Sequence, residues 1–464
     1  MSMFSIFEIG KSALLAARKT MDVTSHNIAN SATPGYSRQE AVLEPLIQQE
    51  APVSGMGVKV IQIRRLRDFF TDSVLRNENA SRASFAVQKD VMDQLQVLSA
   101  ESSDSGLRTA IEGFWAGWQE LSIDPDSVPA QASLVEKGRS LIDMFAHMDG
   151  QIESLQDDLD ASIDANVERV NVLSERVVAL NGEIGRASAR HDPIGDLLDR
   201  RDLLLDEICE ISGATVSRVN DGTQAVKVSI GGFPVVDRDV SYKIGVAHGA
   251  PVHYTWIDRS GAVQDMGGVG GRLGGLSTAR DDLASSFKQN LEALLSDIVT
   301  SVNTQYAAGV IPTGDPLNPA APPDPLEFFT VGDVTDYLGS AQVAAAIVAD
   351  PSRIAVWDGD VAAPGNGLNA LEIAEFLESV PVDRWTAIVG QMGSRGQRIV
   401  SGLETQDLLV KEIQNRKDSV SGVSIDEEMA NLVREQHAFN AASRLISTAD
   451  ELIDTVINRM GAGR

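Results

Sequence analysis

Apolar residues at the start of the chain recur at helical spacing: Phe4, Phe7, Leu14, Ala17, Met21 and Ile28, with Phe7, Leu14, Met21 and Ile28 seven apart. This pattern predicts an amphipathic helix with a coiled-coil seam, interrupted at Gly10 and Thr24. It should stop near Asn30, because Thr33-Pro34-Gly35 disfavours helix before the proline and supplies a turn glycine after it. A second stripe closes the chain. Ser424 with Glu427 reads as a capping box, followed by Ile425, Met429, Leu432, Phe439, Ile446, Ile453, Val456 and Met460. That helix would run roughly 35 residues, or about 50 Å. A lone helix cannot bury its own apolar face, so the two ends are expected to pack on each other.

Between them, Gly55 to Ile63 suggests an extended segment, followed by the basic cluster Arg64, Arg65 and Arg67. Helices are expected over Asp68 to Leu98, around Trp115 and Trp118, and over Asp196 to Ile211. The longest stripe comprises Phe145, Met148, Ile152, Leu155, Leu159, Ser162, Asn166, Val170, Leu173, Val177, Leu180 and Ile184. About forty residues of it make a rod of about 60 Å. After Gly213 the pattern changes to short β-branched runs split by Asn220-Asp221-Gly222, Gly231-Gly232, Gly249 and Gly261, which predict short strands and turns. Helix returns from about Leu276 to Tyr306 and from Asn369 to Ser419, separated by a loop with six prolines between Pro312 and Pro325.

The fold expected is therefore mainly α with a β-rich insert: a long helical rod or bundle, a coiled-coil-like pair of terminal helices, and an outer β domain. Its divisions fall at 1–66 (first helix and extended segment), 67–212 (rod), 213–266 (β-rich), 267–307 (helix returning to the rod), 308–368 (Pro-rich and irregular), 369–420 (rod again) and 421–464 (last helix).

Composition narrows the function. Of 464 residues, 66 are acidic and 39 basic, a net charge of −27 that repels phosphate backbones and anionic lipid, so neither nucleic acid nor membrane is an expected partner. No run of 18 apolar residues offers a membrane span. Glu8, Lys11, Arg18, Lys19, Asp22 and His26 break up the opening residues, which do not read as a cleaved secretory leader. The single cysteine, Cys209, rules out an intrachain disulfide and C-x-x-C chemistry.

Catalytic patterns are scarce. The six histidines include no H-E-x-x-H, and His248 with His253 reads as an ordinary pair rather than metal ligands. The run Gly267-Gly268-Val269-Gly270-Gly271-Arg272-Leu273-Gly274-Gly275 fits neither G-x-G-x-x-G nor a P-loop and reads as a strand-to-helix turn. Asp157-Asp158-Leu159-Asp160 and Asp426-Glu427-Glu428 read as solvated or helix-capping faces. Cys209 reads as a small core residue, and the arginine cluster as a bridge to acidic neighbours. No catalytic, cofactor-binding or metal-ligating residue is assigned, and no enzymatic activity is expected.

The ends carry a resemblance. Asn27-Ile28-Ala29-Asn30-Ser31-Ala32-Thr33-Pro34-Gly35-Tyr36-Ser37-Arg38-Gln39 resembles the N-terminal motif of the bacterial flagellar axial proteins, the rod, hook and hook-associated group. Ser421-Gly422-Val423-Ser424-Ile425-Asp426-Glu427-Glu428-Met429-Ala430-Asn431-Leu432, continuing to Leu445-Ile446-Ser447-Thr448-Ala449-Asp450-Glu451-Leu452, resembles their C-terminal motif. With Tyr36-Ser37-Arg38 and the Ser421-Gly422-Val423-Ser424 opening the likeness is closest to the hook-associated proteins at the hook–filament junction, and further similarity appears in Asp196-Leu197-Leu198-Asp199-Arg200-Arg201-Asp202 and in Gly274-Gly275-Leu276. Phe439 stands where the family more often has tyrosine, and the chain is shorter than many relatives, which implies a reduced outer domain.

The resemblance implies a structural, extracellular protein of the flagellum, at the junction of hook and filament, exported by the flagellar type III apparatus without a cleaved signal. It implies no cofactor. The partners implied are further copies in a ring, the hook protein, a second hook–filament junction protein, and an export chaperone at the C-terminal helix. The assembly residues implied are Phe7, Leu14, Met21, Ile28, Asn30, Thr33, Pro34, Gly35, Tyr36 and Arg38, with Ile425, Met429, Leu432, Phe439, Ile446, Ile453 and Val456. The alternatives are a hook or distal-rod protein, or, in another class, a secreted enzyme or adhesin active in the β insert.

Overall fold

The computed structural model describes residues 3–46, 57–99, 106–219, 221–312, 323, 326–358 and 365–455. Helix α1, Met3–Ala29, leads through a tight turn into the antiparallel hairpin of β1, Gln39–Pro45, and β2, Val58–Arg65, in the register Gln39 opposite Arg65. The expected extended segment is thus shifted toward the arginines, and Gly55 and Met56 lie outside the described residues. Helices α2, Phe69–Ser99, and α3, Leu107–Ile123, follow.

Helix α4, Val128–Ala189, has 62 residues, or about 90 Å, and so exceeds the expected rod. Most of the added length is N-terminal. Ser127 caps the helix by accepting from Ala130 N, and Pro129 sits in the first turn, where its missing N–H costs nothing. The buried stripe also differs in register: Ile163, Val167 and Asn181 are buried, whereas Ser162 and Asn166 face solvent or its edge.

Helix α5, Gly195–Ser212, ends on Gly213 at φ 65°. Strands β3, Thr215–Arg218, β4, Val226–Ile230, β5, Phe233–Asp237, and β6, Val240–Ser241, form a four-stranded antiparallel meander. Strands β7, Lys243–Ala247, β8, His253–Ile257, and β9, Val263–Asp265, form a three-stranded one. Both lie on α4. The Asn171 amide donates to Ile244 O (3.0 Å) while its Oδ1 accepts from Ile244 N (2.9 Å), and Asn181 Nδ2 donates to Arg238 O (2.7 Å). Two buried asparagines in an apolar stripe thus satisfy strand-edge groups that would otherwise be orphaned. Val228, Ile230, Val236 and Ile244 belong to the same continuous core as Val170, Leu173 and Val177 of α4.

The glycine run is a close backbone passage: a Cβ on Gly271 would sit 2.5 Å from Glu210 O. It opens α6, Gly271–Thr278, earlier than expected, continued through a π-helical turn at Ala279–Ala284 into α7, Ser285–Ala308. Beyond it, β10, Gly309–Val310, pairs with β13, Trp357–Asp358. Between them β11, Phe329–Val331, pairs with β12, Ala341–Val343, accompanied by the short helices α8, Tyr337–Ser340, and α9, Ala345–Ala349. Most of the expected proline loop, residues 313–322 and 324–325, lies outside the described residues.

Helix α10, Leu368–Ser421, passes through Pro381 without ending, and α11, Ile425–Asp454, closes the chain. An aromatic cluster forms where α3 and α7 meet β11: Phe328 lies 5.7 Å from Phe114, 5.2 Å from Trp118 and 4.9 Å from Phe329, centroid to centroid. Among the described residues no helix is long and apolar enough to cross a membrane.

Candidate assembly site at the base of the terminal helices

Helices α1 and α11 pack side by side. On α11 the inward positions alternate by four and three through Glu428, Leu432, Glu435, Phe439, Ala442, Ile446, Ala449 and Ile453, of which Glu428, Ala442 and Ala449 are buried. Ile425 and Met429, expected on this seam, are instead 53% and 47% exposed. Val456 lies outside the described residues. On α1 the buried positions Gly10, Ala17 and Thr24 are seven apart, and Phe7, Leu14, Met21 and Ile28 flank them half-buried. Gly10 is therefore not an interruption of the stripe: a Cβ there would fall 2.8 Å from Ile446 Cγ1, so the small residue is what allows the helices to approach. The other side of α1 is covered too, since Ser12 Oγ accepts from Val58 N of the hairpin (3.3 Å).

The turn after α1 is built as its sequence dictates. Thr33 N donates to Asn30 O (2.9 Å) and Tyr36 N to Thr33 O (3.2 Å), while Pro34 is exposed. Gly35 sits at φ 76°, and a Cβ on it would strike the Leu203 side chain at 2.6 Å. Asn30 Nδ2 donates back to His26 O (2.9 Å), so its amide closes the helix rather than the turn, and only Thr33 Oγ1 reaches its Oδ1.

From this turn the chain is pinned in both directions. Tyr36 Oη donates to Asn27 Oδ1 (2.7 Å) and lies 3.0 Å from His26 Nδ1. Burial, reinforced by the carboxylates of Asp196, Asp199 and Glu428, raises its phenol pKa well above the ordinary value and keeps it a donor. Asn27 Nδ2 donates to Gln39 O and to Glu428 Oε2, each at 2.9 Å. Arg38 reaches α11 directly: Nη2 meets Glu428 Oε1 at 2.7 Å and Nη1 meets Glu427 Oε2 at 3.0 Å, while its N–H donates to Ser421 O. Ser424 caps α11 by accepting from Glu427 N, but the Glu427 carboxylate turns to Arg38, so the expected capping box is only half made.

The helical body answers from α5. Ser37 Oγ donates to Asp199 Oδ1 (2.8 Å). Arg65 Nη1 contacts Asp199 (2.6 Å) and Asp202 (3.0 Å), Arg67 Nη1 contacts Asp202 (2.7 Å) and its Nε contacts Asp72, and Arg76 Nε contacts Asp206 (2.6 Å). Burial alone would push the Asp202 carboxyl up, but the guanidinium groups of Arg67, Arg65 and Arg76 outweigh it and hold it below the usual range. Lys417 near the end of α10 approaches Asp72 (3.7 Å). The expected bridging role of the arginine cluster thus has named partners, with Arg64 serving the hairpin itself through Glu40 (3.0 Å).

The chemistry of this arrangement is fixation. Its carboxylates are occupied by guanidinium groups, and among the described residues no group of three or more His, Cys, Asp or Glu is placed to hold a metal ion. Cys209 is buried, and burial pushes its thiol up to about 12. His248 bridges Asp160 (3.1 Å) and Asp164 (3.0 Å) of α4.

Three family models match the chain: "Flagellar hook-associated protein FlgK helical domain" over residues 92–318, "Flagella basal body rod protein" over 7–36, and "Flagellar basal body rod FlgEFG protein C-terminal" over 418–460. Flagellar hook-associated protein 1 of Bacillus subtilis is 26% identical over 100% of this chain and 99% of its own. The chain belongs to the flagellar hook-associated protein 1 family. Its Escherichia coli relative of the same name is 21% identical over 98% of this chain and 100% of its own. The fold of this hook-associated family member is also that of the flagellar hook junction protein FlgK from Burkholderia pseudomallei, with TM-score 0.64 and 14% identity over 75% of this chain and 100% of that one. The two rod models cover α1 with its exit turn and α11 with the end of α10, the segments that Arg38, Asn27 and Glu428 join.

Proposed function

We propose that this protein joins hook to filament as a structural subunit, copies packing into a ring through their terminal helices. The observation that carries the reading is the surface left on the clamped helix pair. With the α1–α11 seam closed, Leu15, Ile425, Met429, Val433, Leu445 and Leu452 still face solvent, Leu15 at 55% and Leu452 at 48% exposure. Apolar residues on two flanks of a helix already packed on its partner mark further helix contacts. A head-to-tail arrangement of identical subunits closes into a ring and leaves two unlike ends, one for the hook protein and one for a second junction protein. The family likeness also supports export through the flagellar type III apparatus, with a chaperone on the C-terminal helix beforehand. The hook or distal-rod alternative is weaker because the helical-domain model spans 92–318.

Met429→Glu combined with Leu452→Glu tests this reading. Both positions are exposed, so the purified variant should fold and melt as the parent does, while cells carrying it lose motility and shed flagellin into the medium. Normal motility would overturn the proposal.

A further inference from the structure

A cleft of about 280 Å³ lies between α5 and the β3–β4 connection, lined by Arg65, Leu198, Arg201, Arg218, Gln224 and Ala225 among others. Among the described residues no carboxylate lines it, in a chain where acidic residues outnumber basic ones 66 to 39. Arg201 is only 5% exposed. Its Nη1 donates to Asn181 Oδ1 (3.0 Å) and Gln224 O (2.6 Å), but its Nε is buried without a hydrogen-bond partner, and it makes no ion pair among the described residues. Arg218 is exposed at the rim. Its guanidinium lies 4.6 Å from the centroid of the Phe69 ring, and it too makes no ion pair among the described residues. Arg65, by contrast, is already matched by Asp199 and Asp202.

A buried guanidinium without a counterion is costly, and the cost is removed when an anion enters. Burial, with the positive charges of Arg65, Arg218 and Arg76, draws Arg201 down to about 10 against the pull of Asp202. We infer that this cleft is an oxyanion-binding site, the guanidinium groups of Arg201 and Arg218 receiving a carboxylate or an inorganic oxyanion. Two sources share that chemistry: an Asp or Glu side chain of a second copy of this chain, which rests on the assembly reading above, and a free anion. The forked guanidinium geometry suits either.

The test uses the full chain with inorganic phosphate as probe, titrated calorimetrically at constant ionic strength against chloride, together with sedimentation across a concentration series. Saturable phosphate binding is expected, about tenfold weaker in Arg218→Gln and intermediate in Arg218→Lys, which keeps the charge and loses the fork. If phosphate also suppresses concentration-dependent association, the natural occupant is a carboxylate of a second copy; if it binds without affecting association, the occupant is a free oxyanion. Absence of saturable binding, or binding unchanged in Arg218→Gln, overturns the inference. Phosphate binding is read on the monomer, so that result leaves the assembly reading to its own test by Met429→Glu and Leu452→Glu.

Discussion

Replacing Glu428 with alanine should free the C-terminal helix while leaving the helical body intact. The side chain is 2% exposed and accepts from both Arg38 Nη2 and Asn27 Nδ2. Breaking a buried ion pair from one side costs about 3–5 kcal/mol. Here Arg38 is 22% exposed and keeps the solvated Glu427, so the expected cost is lower, about 2–3 kcal/mol. That cost falls on the docking of α11, whose opening should become about 30- to 150-fold more populated. Amide hydrogen exchange by mass spectrometry reads it directly: peptides from α11 should lose protection by that factor, while those around Ile163 and Leu173 in α4 stay unchanged. Glu428→Gln keeps an acceptor for Asn27 and should lose about 1 kcal/mol. Unchanged exchange in α11, or an equal loss throughout the chain, would refute the reasoning.

Gly35→Val forces a β-branched residue to φ 76° and drives its side chain into Leu203, so it should cost about 1–3 kcal/mol at the exit turn, with the melting of the body preserved and incorporation into flagella lost. His248 is exposed but partly desolvated, which discourages charging, yet Asp164 and Asp160 outweigh this and raise its pKa above the ordinary value of 6.5. A raised folded-state pKa means that the stabilisation is complete below about pH 6.5 and fades as pH climbs through the folded value. Exchange protection of 243–257 should accordingly fall with rising pH by at most about 1 kcal/mol, and His248→Gln should flatten the profile. Cys209 should resist a thiol reagent at pH 8 in the native protein and react fully in urea; fast native labelling would show that α5 opens readily.

The helices were legible because their apolar residues recur at helical spacing and their ends carry recognisable signals, such as Ser424 before α11 and Pro34-Gly35 after α1. The seam between α1 and α11 was legible only in outline. Close helix approach is achieved with Gly10, Ala17 and Thr24, and of these Gly10 and Thr24 read in sequence as breaks in a stripe whose centre they occupy. The extra N-terminal length of α4 was signalled by Ser127 and Pro129, a cap and first-turn proline that the apolar count alone does not register. The helix expected over 369–419 is present despite Pro381, because packing of α10 against its neighbours carries the helix past the proline. The clamp lay beyond reach: Arg38 meets Glu428 across 390 positions and Arg65 meets Asp199 across 134, and composition reveals an arginine cluster without saying which carboxylates answer it. The same holds for the sheets. Turn glycines announced the strands, but their burial on α4 depends on Asn171 and Asn181, polar residues inside a stripe.

The central claim, that the clamped terminal helices place this protein at the hook–filament junction, is tested most directly by labelling detached flagella with an antibody to the β region, residues 215–265, and viewing them by electron microscopy. The account predicts label confined to the distal tip of the hook, at its border with the filament. Label spread along the filament, or flagella bearing none, would contradict it.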